Sequence, residues 1–450
     1  MRSLLIGLVL CVSVTSLPVN ATLQIESWQT PKGAKVLYAY APELPMVDVR
    51  IVFDAGSARD TDKKGVAHLT SQLIGQGDAQ RDEERFAEES EGLGLQFSTQ
   101  AFKDMAVINI RSLTRPDVLQ PALALSASAI NQPLLSESVL KREKAQLLTR
   151  LEAKQQSASA LARDAFWVQL YGKHPYAYAS EGRFDDVKQI QISDIKDFYR
   201  QYYVAANAVI AIVGQVDKAS AQAMAVQLVD GLPEGKAAPS VSLVTRPMAS
   251  VKKIDYPASQ TQVLMGQLGV NRLDNDYIPL YVANHILGGS GFASRLMEEV
   301  REKRGLVYGV SSALIPMRQP GPWMLSLQTS SQNVPEALKV VRETLAGLLV
   351  DIPEAELTEH KDNIIGSFAL EIDSNKDIVG YLAMMGFYQL PLTWMQDFPA
   401  RVAALDRQQL LTVVRRHLQP DQWTSVLLGK PLGDQEKATP LSVAPKEVRH

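Results

Sequence analysis

A single histidine, His68, stands in the segment GVAHLTSQL at residues 65–73, where a zinc-binding motif of the form H-x-x-E-H would begin. Such a motif activates a zinc-bound water with two imidazoles one helical turn apart and a carboxylate that serves as general base. Here the base position holds Ser71 and the second imidazole position holds Gln72. A serine hydroxyl does not ionise near neutral pH, and an amide is a poor zinc ligand. The pattern therefore predicts a degenerate zinc motif, in which His68 has a structural role or a solvent-facing hydrogen bond.

The element that must position these side chains is a helix at about residues 65–74. At about 100° of rotation per residue, Leu69 and Leu73 fall on one apolar face. His68 and Gln72 fall together on the opposite face, where a catalytic helix would present its ligands.

The chain contains an internal duplication. The segment VDVRIVFDAGSARD…GVAHLTSQLIGQG parallels TQVLMGQLGVNRLD…IPLYVANHILGGSG, which places Tyr281 opposite His68. Further along, LSESVLKREKAQLL parallels IPEAELTEHKDNII, which places Leu357 opposite Leu140. Self-similarity of this kind indicates two copies of one structural unit.

Each copy repeats one order of elements. A strand rich in β-branched residues comes first (47–53 and 261–268), then a helix (about 65–74 and 277–287). Further strands (105–113 and 323–329) and long amphipathic helices follow. Runs of strands followed by runs of helices favour an α+β fold over a doubly wound sheet. We expect two homologous domains, each an antiparallel-rich sheet packed against helices.

The predicted boundaries follow composition. We expect a signal peptide at 1–21, an N-terminal domain with the degenerate motif at 22–231, a proline-containing linker at 232–250, a C-terminal domain at 251–430 and a polar tail at 431–450. These two domains are called the first and second halves below.

The N-terminus predicts export. Arg2 precedes the apolar run 4–14, and a small-residue cleavage pattern ends at Ala21. The run is shorter than the roughly 20 residues a membrane span needs, and no later run reaches that length.

Cys11 is the only cysteine, so the mature chain has neither disulfides nor thiolate ligands. With a net charge of −3, the composition predicts no nucleic-acid partner, and we expect a soluble protein that is periplasmic or otherwise exported.

Together, the duplicated α+β unit, the G-x-A-H-x-x-x-x-L helix and the segment LGGSGFASRLMEEVREKRGLVYGVSS (287–312) resemble the pitrilysin/insulinase-like metallopeptidases. The layout is similar to the two-domain members that resemble mitochondrial processing peptidase, in which the two domains form half of a clamshell. In this family a glutamate further along the chain is the third zinc ligand. The corresponding stretch is REKAQLLTR, in which the first glutamate is Glu143 and the ligand position falls on Arg150, or on Thr149 if the register shifts by one. A cation at that position opposes metal binding, so the resemblance implies no zinc in this chain.

The same family carries an arginine and a tyrosine in its second domain, which match Arg301 and Tyr308 in REKRGLVY. The resemblance implies that these two side chains reach a peptide held at the zinc. The guanidinium would bind a substrate carbonyl or carboxylate, and the phenol would donate a hydrogen bond to the oxyanion. We expect Arg301 to end a helix that Gly305 terminates through a positive φ, and Tyr308 to begin the next strand. On spacing alone, Arg301 is a surface helix charge and Tyr308 a half-buried strand aromatic.

Three functions remain open. The chain is the zinc-free subunit of a hetero-oligomeric exported peptidase, inactive alone, whose homologous partner supplies the zinc site. Alternatively, it is a pseudo-peptidase that binds peptides or acts as a scaffold. The third is an autonomous peptidase with unrecognised ligands, against which stands the lack of a second histidine near His68.

Overall fold

The structure, a computed structural model, describes residues 23–430. The predicted signal peptide and the polar tail lie outside the described residues. The strands are β1 (Ile25–Gln29), β2 (Lys35–Tyr40), β3 (Met46–Phe53), β4 (Gln96–Ala101), β5 (Ala106–Leu113), β6 (Ala208–Gly214), β7 (Val251–Asp255), β8 (Thr261–Leu268), β9 (Gly309–Leu314), β10 (Pro322–Thr329) and β11 (Thr424–Gly429).

The α-helices lie between and after these strands. They are α1 (Val66–Leu73), α2 (Glu83–Gly92), α3 (Pro116–Asn131), α4 (Glu137–Lys154), α5 (Ala158–Tyr171), α6 (Phe184–Gln189), α7 (Ile192–Tyr202), α8 (Lys218–Val229), α9 (Tyr277–Asn284), α10 (Val334–Val350), α11 (Glu354–Leu370), α12 (Asn375–Tyr388), α13 (Trp394–Ala404) and α14 (Arg407–His417).

The two sheets have the same topology. The strand order is β1-β2-β6-β3-β5-β4 in the first sheet and β7-β11-β8-β10-β9 in the second. Apart from the additional edge strand β1, each sheet pairs its first strand parallel to its last strand, while the remaining neighbours are antiparallel. This repeat confirms the predicted α+β class with two homologous, antiparallel-rich units.

The two halves exchange one helix each. From the first half, α5 packs on β8 and β11, where Phe166 is fully buried with Leu264 and Leu428. From the second half, α12 packs on β3 and β6 of the first sheet. A Cβ at Gly386 of α12 would lie 2.4 Å from Val209, so only glycine permits this close approach. Both sheets are therefore covered on two faces, which explains why β6 (AVIAIVG) is apolar and buried throughout.

A buried polar network joins the halves beside these helices. Asp54, just after β3, pairs with Arg59 through two hydrogen bonds of 2.8 and 2.7 Å and with Arg318 of the second half at 2.7 Å. Asp104 accepts hydrogen bonds from the Tyr388 hydroxyl at 3.1 Å and from the backbone N–H of Arg318 at 2.8 Å. Burial raises the pKa of Asp54, and the two arginines oppose that effect.

Some predicted elements differ in detail. The helix expected to reach residue 287 is α-helical only to Asn284 and continues as a π-helical turn, His285–Gly289. Tyr308 was expected to begin a strand but lies just before β9. Residues 233–250 contain neither helix nor strand, while the exact domain boundaries stay a prediction. Within residues 23–430, no helix combines the length and apolarity needed to cross a membrane.

Candidate functional site

A buried carboxylate fixes the start of α1, the helix of the degenerate motif. Asp60 accepts hydrogen bonds from the backbone N–H groups of Gly65 and Ala67, both at 2.8 Å. Gly65 has φ +109°, in the left-handed region that favours glycine. Burial raises the pKa of Asp60 to about 7, while the two backbone hydrogen bonds act in the opposite direction. These contacts hold the N-terminal turn of α1, from which His68 extends.

His68 is half-buried on α1, a helix that packs against α4 and α7. Its Nε2 atom is buried and has no hydrogen-bond partner among residues 23–430. Burial lowers the pKa of His68, and Arg150 lowers it further, whereas Glu181 and Glu143 raise it. The structure thus brings His68 into electrostatic range of both Glu143 and Arg150, two aligned motif positions distant in sequence.

The other motif positions lie in different surroundings. The Ser71 hydroxyl is buried and has no hydrogen-bond partner among residues 23–430. Ser71 is 1% exposed, and its carbonyl accepts a hydrogen bond of 2.7 Å from the Thr99 hydroxyl of β4. Gln72 is half-buried. The exposed Thr149 donates to the Ala145 carbonyl within α4 at 3.1 Å. The carboxylate of the buried Glu143 is bound by Arg142 at 2.9 Å.

These residues do not fit a zinc ion. A hydroxyl and an amide replace the base and the second imidazole, and the guanidinium of Arg150 lies near the remaining histidine. Within the described part of the chain, no group of three or more His, Cys, Asp or Glu side chains is arranged to hold a metal.

The second half contains a related cluster that the sequence analysis did not single out. The duplication places Asn284 and His285 opposite Ser71 and Gln72, and His360 opposite Glu143. The His285 and His360 Nδ1 atoms lie 2.8 Å apart. The same alignment could have identified this pair, because two histidines fall at matched positions of the repeat.

Asn284 is a buried anchor of this cluster. Its side-chain carbonyl accepts hydrogen bonds from the Ser312 hydroxyl at 2.8 Å and from Trp323 Nε1 at 3.0 Å. The helix therefore joins β9 and β10 at the position where the first half holds Ser71 against β4. Both halves use this helix face for packing.

Arg301 and Tyr308 lie next to each other in space. Arg301 belongs to a π-helical turn, Met297–Glu302, and Gly305, with φ +61°, reverses the chain so that Tyr308 returns beside it. The guanidinium carbon of Arg301 lies 5.8 Å from the ring centroid of Tyr308 and 5.0 Å from that of Phe292. Arg301 also pairs with Glu302 at 3.1 Å.

This cluster is open to solvent. Tyr308 is 80% exposed and Phe292 is 72% exposed, and both rings lie close to the Arg301 guanidinium. Exposed aromatic side chains grouped in this way form an apolar patch, a feature of many binding surfaces. Tyr308 also lines a cavity of about 440 Å³ between the second sheet and α5, together with Arg163, Gln262 and Gln328. The site can therefore offer cationic, phenolic and amide hydrogen-bond donors to one ligand.

Comparison with known proteins decides the family. A solved structure from Pseudomonas fluorescens, described as a peptidase M16 inactive domain, is 40% identical to this chain, with a TM-score of 0.88. The match covers 91% of this chain and 98% of that one. The chain belongs to peptidase family M16. Within it, residues 35–182 match the insulinase (peptidase family M16) domain, and residues 189–364 match the peptidase M16 inactive domain.

Other M16-like proteins are more distant. A Helicobacter pylori protein described as a non-peptidase homolog, YmxG, is 22% identical over 406 residues, which cover 89% of this chain and 93% of that protein. The periplasmic protease PqqL from Escherichia coli is 16% identical, with a TM-score of 0.77. That match covers 91% of this chain and 46% of PqqL, and it shows a shared fold. The chain is thus an M16-like protein whose similar proteins include members described as inactive.

Proposed function

We propose that this chain is the zinc-free subunit of an exported, hetero-oligomeric M16 peptidase. In this proposal Arg301 and Tyr308 bind the peptide, and a homologous partner supplies the complete H-x-x-E-H motif. The observation that carries the proposal is the exposed cluster of Arg301 with Tyr308 and Phe292, in a chain whose zinc motif is degenerate.

The chemistry of the pair suits an extended peptide. An arginine guanidinium can donate two parallel hydrogen bonds to a carbonyl or carboxylate. A phenol near a scissile bond can donate one hydrogen bond to the oxyanion that develops there, and such a donor contributes about 10²- to 10³-fold in rate. The high exposure of Tyr308 supports the proposal, because a residue that serves a ligand bound between two chains must be accessible in one of them.

Further observations support the proposed export and the proposed domain limits. The N-terminal segment has the pattern of a signal peptide, and one similar structure is described as a periplasmic protease, which supports export. The segment 232–250 contains three prolines and joins the two sheets, which supports domain limits of 22–231 and 251–430.

A second candidate is a pseudo-peptidase that binds peptides or acts as a scaffold without any catalytic partner. The description of the Helicobacter pylori relative as a non-peptidase homolog favours this candidate. The same Arg301 and Tyr308 surface would then bind peptide without cleavage.

The test mixes the purified mature chain with a homologous chain that carries an intact H-x-x-E-H motif and measures peptide cleavage. We expect Tyr308→Phe to lower kcat by about 10²- to 10³-fold and Arg301→Ala mainly to raise KM. The matched controls are Tyr40→Phe, at a tyrosine that is 53% exposed in the first half, and Arg200→Ala, whose side chain is 67% exposed.

Two outcomes would change this assignment. If the mixture is active and neither Arg301→Ala nor Tyr308→Phe changes turnover, the proposed role of the pair is wrong. If no mixture cleaves peptide but the isolated chain binds it through the same two residues, the pseudo-peptidase candidate replaces the leading one.

A further inference from the structure

Two neighbouring cavities lie where the halves meet, away from Arg301 and Tyr308. One, of about 490 Å³, lies between the first sheet, α12 and the loop that follows β9. The other, of about 580 Å³, lies between α12 and the helices of the second half. The two cavities share Arg50, Arg272, Gly380 and Met384 in their walls. They therefore form one continuous cleft with two arginines at its junction.

Residues 23–430 supply only one hydrogen-bond acceptor to the side chain of Arg50. It extends from β3 toward α12, where Gly380 leaves room for its guanidinium, since a Cβ at that glycine would lie 2.9 Å from Nη1. Its Nε donates to Asn109 Oδ1 at 2.7 Å. Among residues 23–430, neither terminal nitrogen of Arg50 has an acceptor or an ion-pair partner, and neither is fully buried. Burial lowers the pKa of Arg50, while the more distant Asp48 and Asp377 raise it.

Arg272, on the other wall of the cleft, also has a guanidinium N–H without an acceptor among residues 23–430. Its Nη1 donates to the Tyr277 hydroxyl at 3.0 Å, and its guanidinium lies 4.9 Å from the Tyr277 ring centroid and 5.6 Å from that of Tyr388. The Nε atom is buried and lacks a hydrogen-bond partner within the described chain. A buried guanidinium N–H without an acceptor destabilises the protein, which favours an acceptor such as a carboxylate oxygen at this position.

The nearby carboxylates are bound to other groups. Asp48 forms two hydrogen bonds with Arg111, at 2.8 and 3.0 Å. Asp104 accepts from two tyrosine hydroxyls and a backbone N–H. Glu371 accepts from the Tyr381 hydroxyl at 2.6 Å, and Asp377 accepts from the Ser374 hydroxyl at the start of α12. Lys103 and Lys376 also line the cleft, so its walls carry the cations Arg50, Arg272, Lys103 and Lys376 against the carboxylates Asp104, Glu371 and Asp377.

The rest of the first cavity is largely apolar. Its walls include Val52, Val107, Trp167, Met317 and Ala383. A cavity of 300–1,000 Å³ with apolar walls and a few polar groups is typical of a small-molecule site. Lys103 contributes little to anion binding here, because its Nζ already donates to the carbonyls of Tyr176 and Tyr178 at 2.9 and 2.6 Å.

We propose that this cleft binds a small amphiphilic carboxylate, whose acid group contacts Arg50 and Arg272 and whose apolar body lies against Val52, Val107 and Trp167. The carboxylate satisfies the guanidinium N–H groups, which match its geometry in a bidentate arrangement. This site is independent of the proposed peptidase function, because it shares no residue with the Arg301 and Tyr308 cluster.

The test titrates the mature chain with octanoate and, separately, with neutral octanamide by calorimetry. We expect octanoate to bind with a Kd below about 1 mM and octanamide at least about tenfold more weakly. Arg50→Gln and Arg272→Gln should each weaken octanoate binding by about tenfold or more, while the exposed control Arg200→Gln leaves it unchanged. Octanoate should also change the tryptophan fluorescence, and Trp167→Phe should remove most of that change.

Either of two results would overturn the proposal. One is equal binding of octanoate and octanamide, or no binding of octanoate at about 10 mM, by the unmodified chain. The other is unchanged octanoate affinity in folded Arg50→Gln and Arg272→Gln variants. If a variant fails to fold by circular dichroism, the comparison of the two ligands on the unmodified chain decides the question.

Discussion

The imidazoles of His285 and His360 share one hydrogen bond, with their Nδ1 atoms 2.8 Å apart. One ring must donate and the other accept, so the neutral pair satisfies this contact and a doubly protonated pair cannot. Burial and the neighbouring His360 lower the pKa of His285 to about 4. Burial also lowers the pKa of His360, which Glu356 and Glu359 raise and Arg295 lowers. The pair is therefore neutral in the folded protein at neutral pH.

This contact predicts a loss of stability on acidification. Because the folded-state pKa of His285 is below its unfolded value of 6.5, the folded state disfavours the protonated ring. The stabilisation is complete above about pH 6.5 and declines as the pH falls toward about 4. Through His285, the unmodified chain should lose about 1–2 kcal/mol of unfolding free energy between pH 7 and pH 5, after allowance for solvent screening. This part of the loss should be absent in His285→Gln. Calorimetric unfolding measures this, and an identical pH dependence in the variant would contradict it.

The buried network between the halves predicts a large stability effect at Asp54. Its carboxylate is 5% exposed and binds both Arg59 and Arg318. Asp54→Ala should lower the unfolding free energy by about 3–5 kcal/mol, because it leaves two guanidiniums without their partner. The matched control is Asp117→Ala, which removes an ion pair to Arg115 that is 70% and 64% exposed and should cost less than about 1 kcal/mol. Denaturant unfolding of both variants makes the comparison, and equal losses would show that Asp54 does not hold the halves together.

Restoring the motif residues alone should not create a zinc site. The variant Ser71→Glu with Gln72→His should retain no stoichiometric zinc after dialysis, because the cation of Arg150 remains near His68. It should also be less stable by about 1–3 kcal/mol, since Ser71 is 1% exposed. Adding Arg150→Glu should raise the zinc content. Elemental analysis of the folded variants measures this, and full zinc occupancy in the double variant would show that Arg150 does not oppose the metal.

Much of the fold was predictable because it follows from patterns that extend over many residues of the sequence. The duplication and the β-branched strand segments predicted two units of one topology, and Thr261–Leu268 has the expected limits. The exchange of α5 and α12 between the halves was not predictable, since an amphipathic pattern shows which face of a helix is buried but not which sheet covers it. The end of α9 at Asn284 was also missed, because the π-helical turn depends on packing against β9.

The candidate site was also predictable only in part. The motif spacing identified His68, Ser71 and Gln72 on one helix, and their partner residues came only through the family resemblance. The approach of Arg301 to Tyr308 required the reversal at Gly305, a local feature that the sequence indicated. Within residues 23–430, Arg272 Nε and the terminal nitrogens of Arg50 have no acceptor. The sequence could not predict this, because it depends on which carboxylates lie within reach in three dimensions.

The central claim is that this chain serves a peptidase whose zinc lies in another subunit. The most direct measurement is the zinc content and peptide-cleaving activity of the purified mature chain, alone and mixed with a homologous chain that carries H-x-x-E-H. We predict no stoichiometric zinc and no cleavage by the isolated chain, with activity in the mixture above that of the partner alone. Stoichiometric zinc with cleavage by the isolated chain, lost in His68→Ala, would contradict the account.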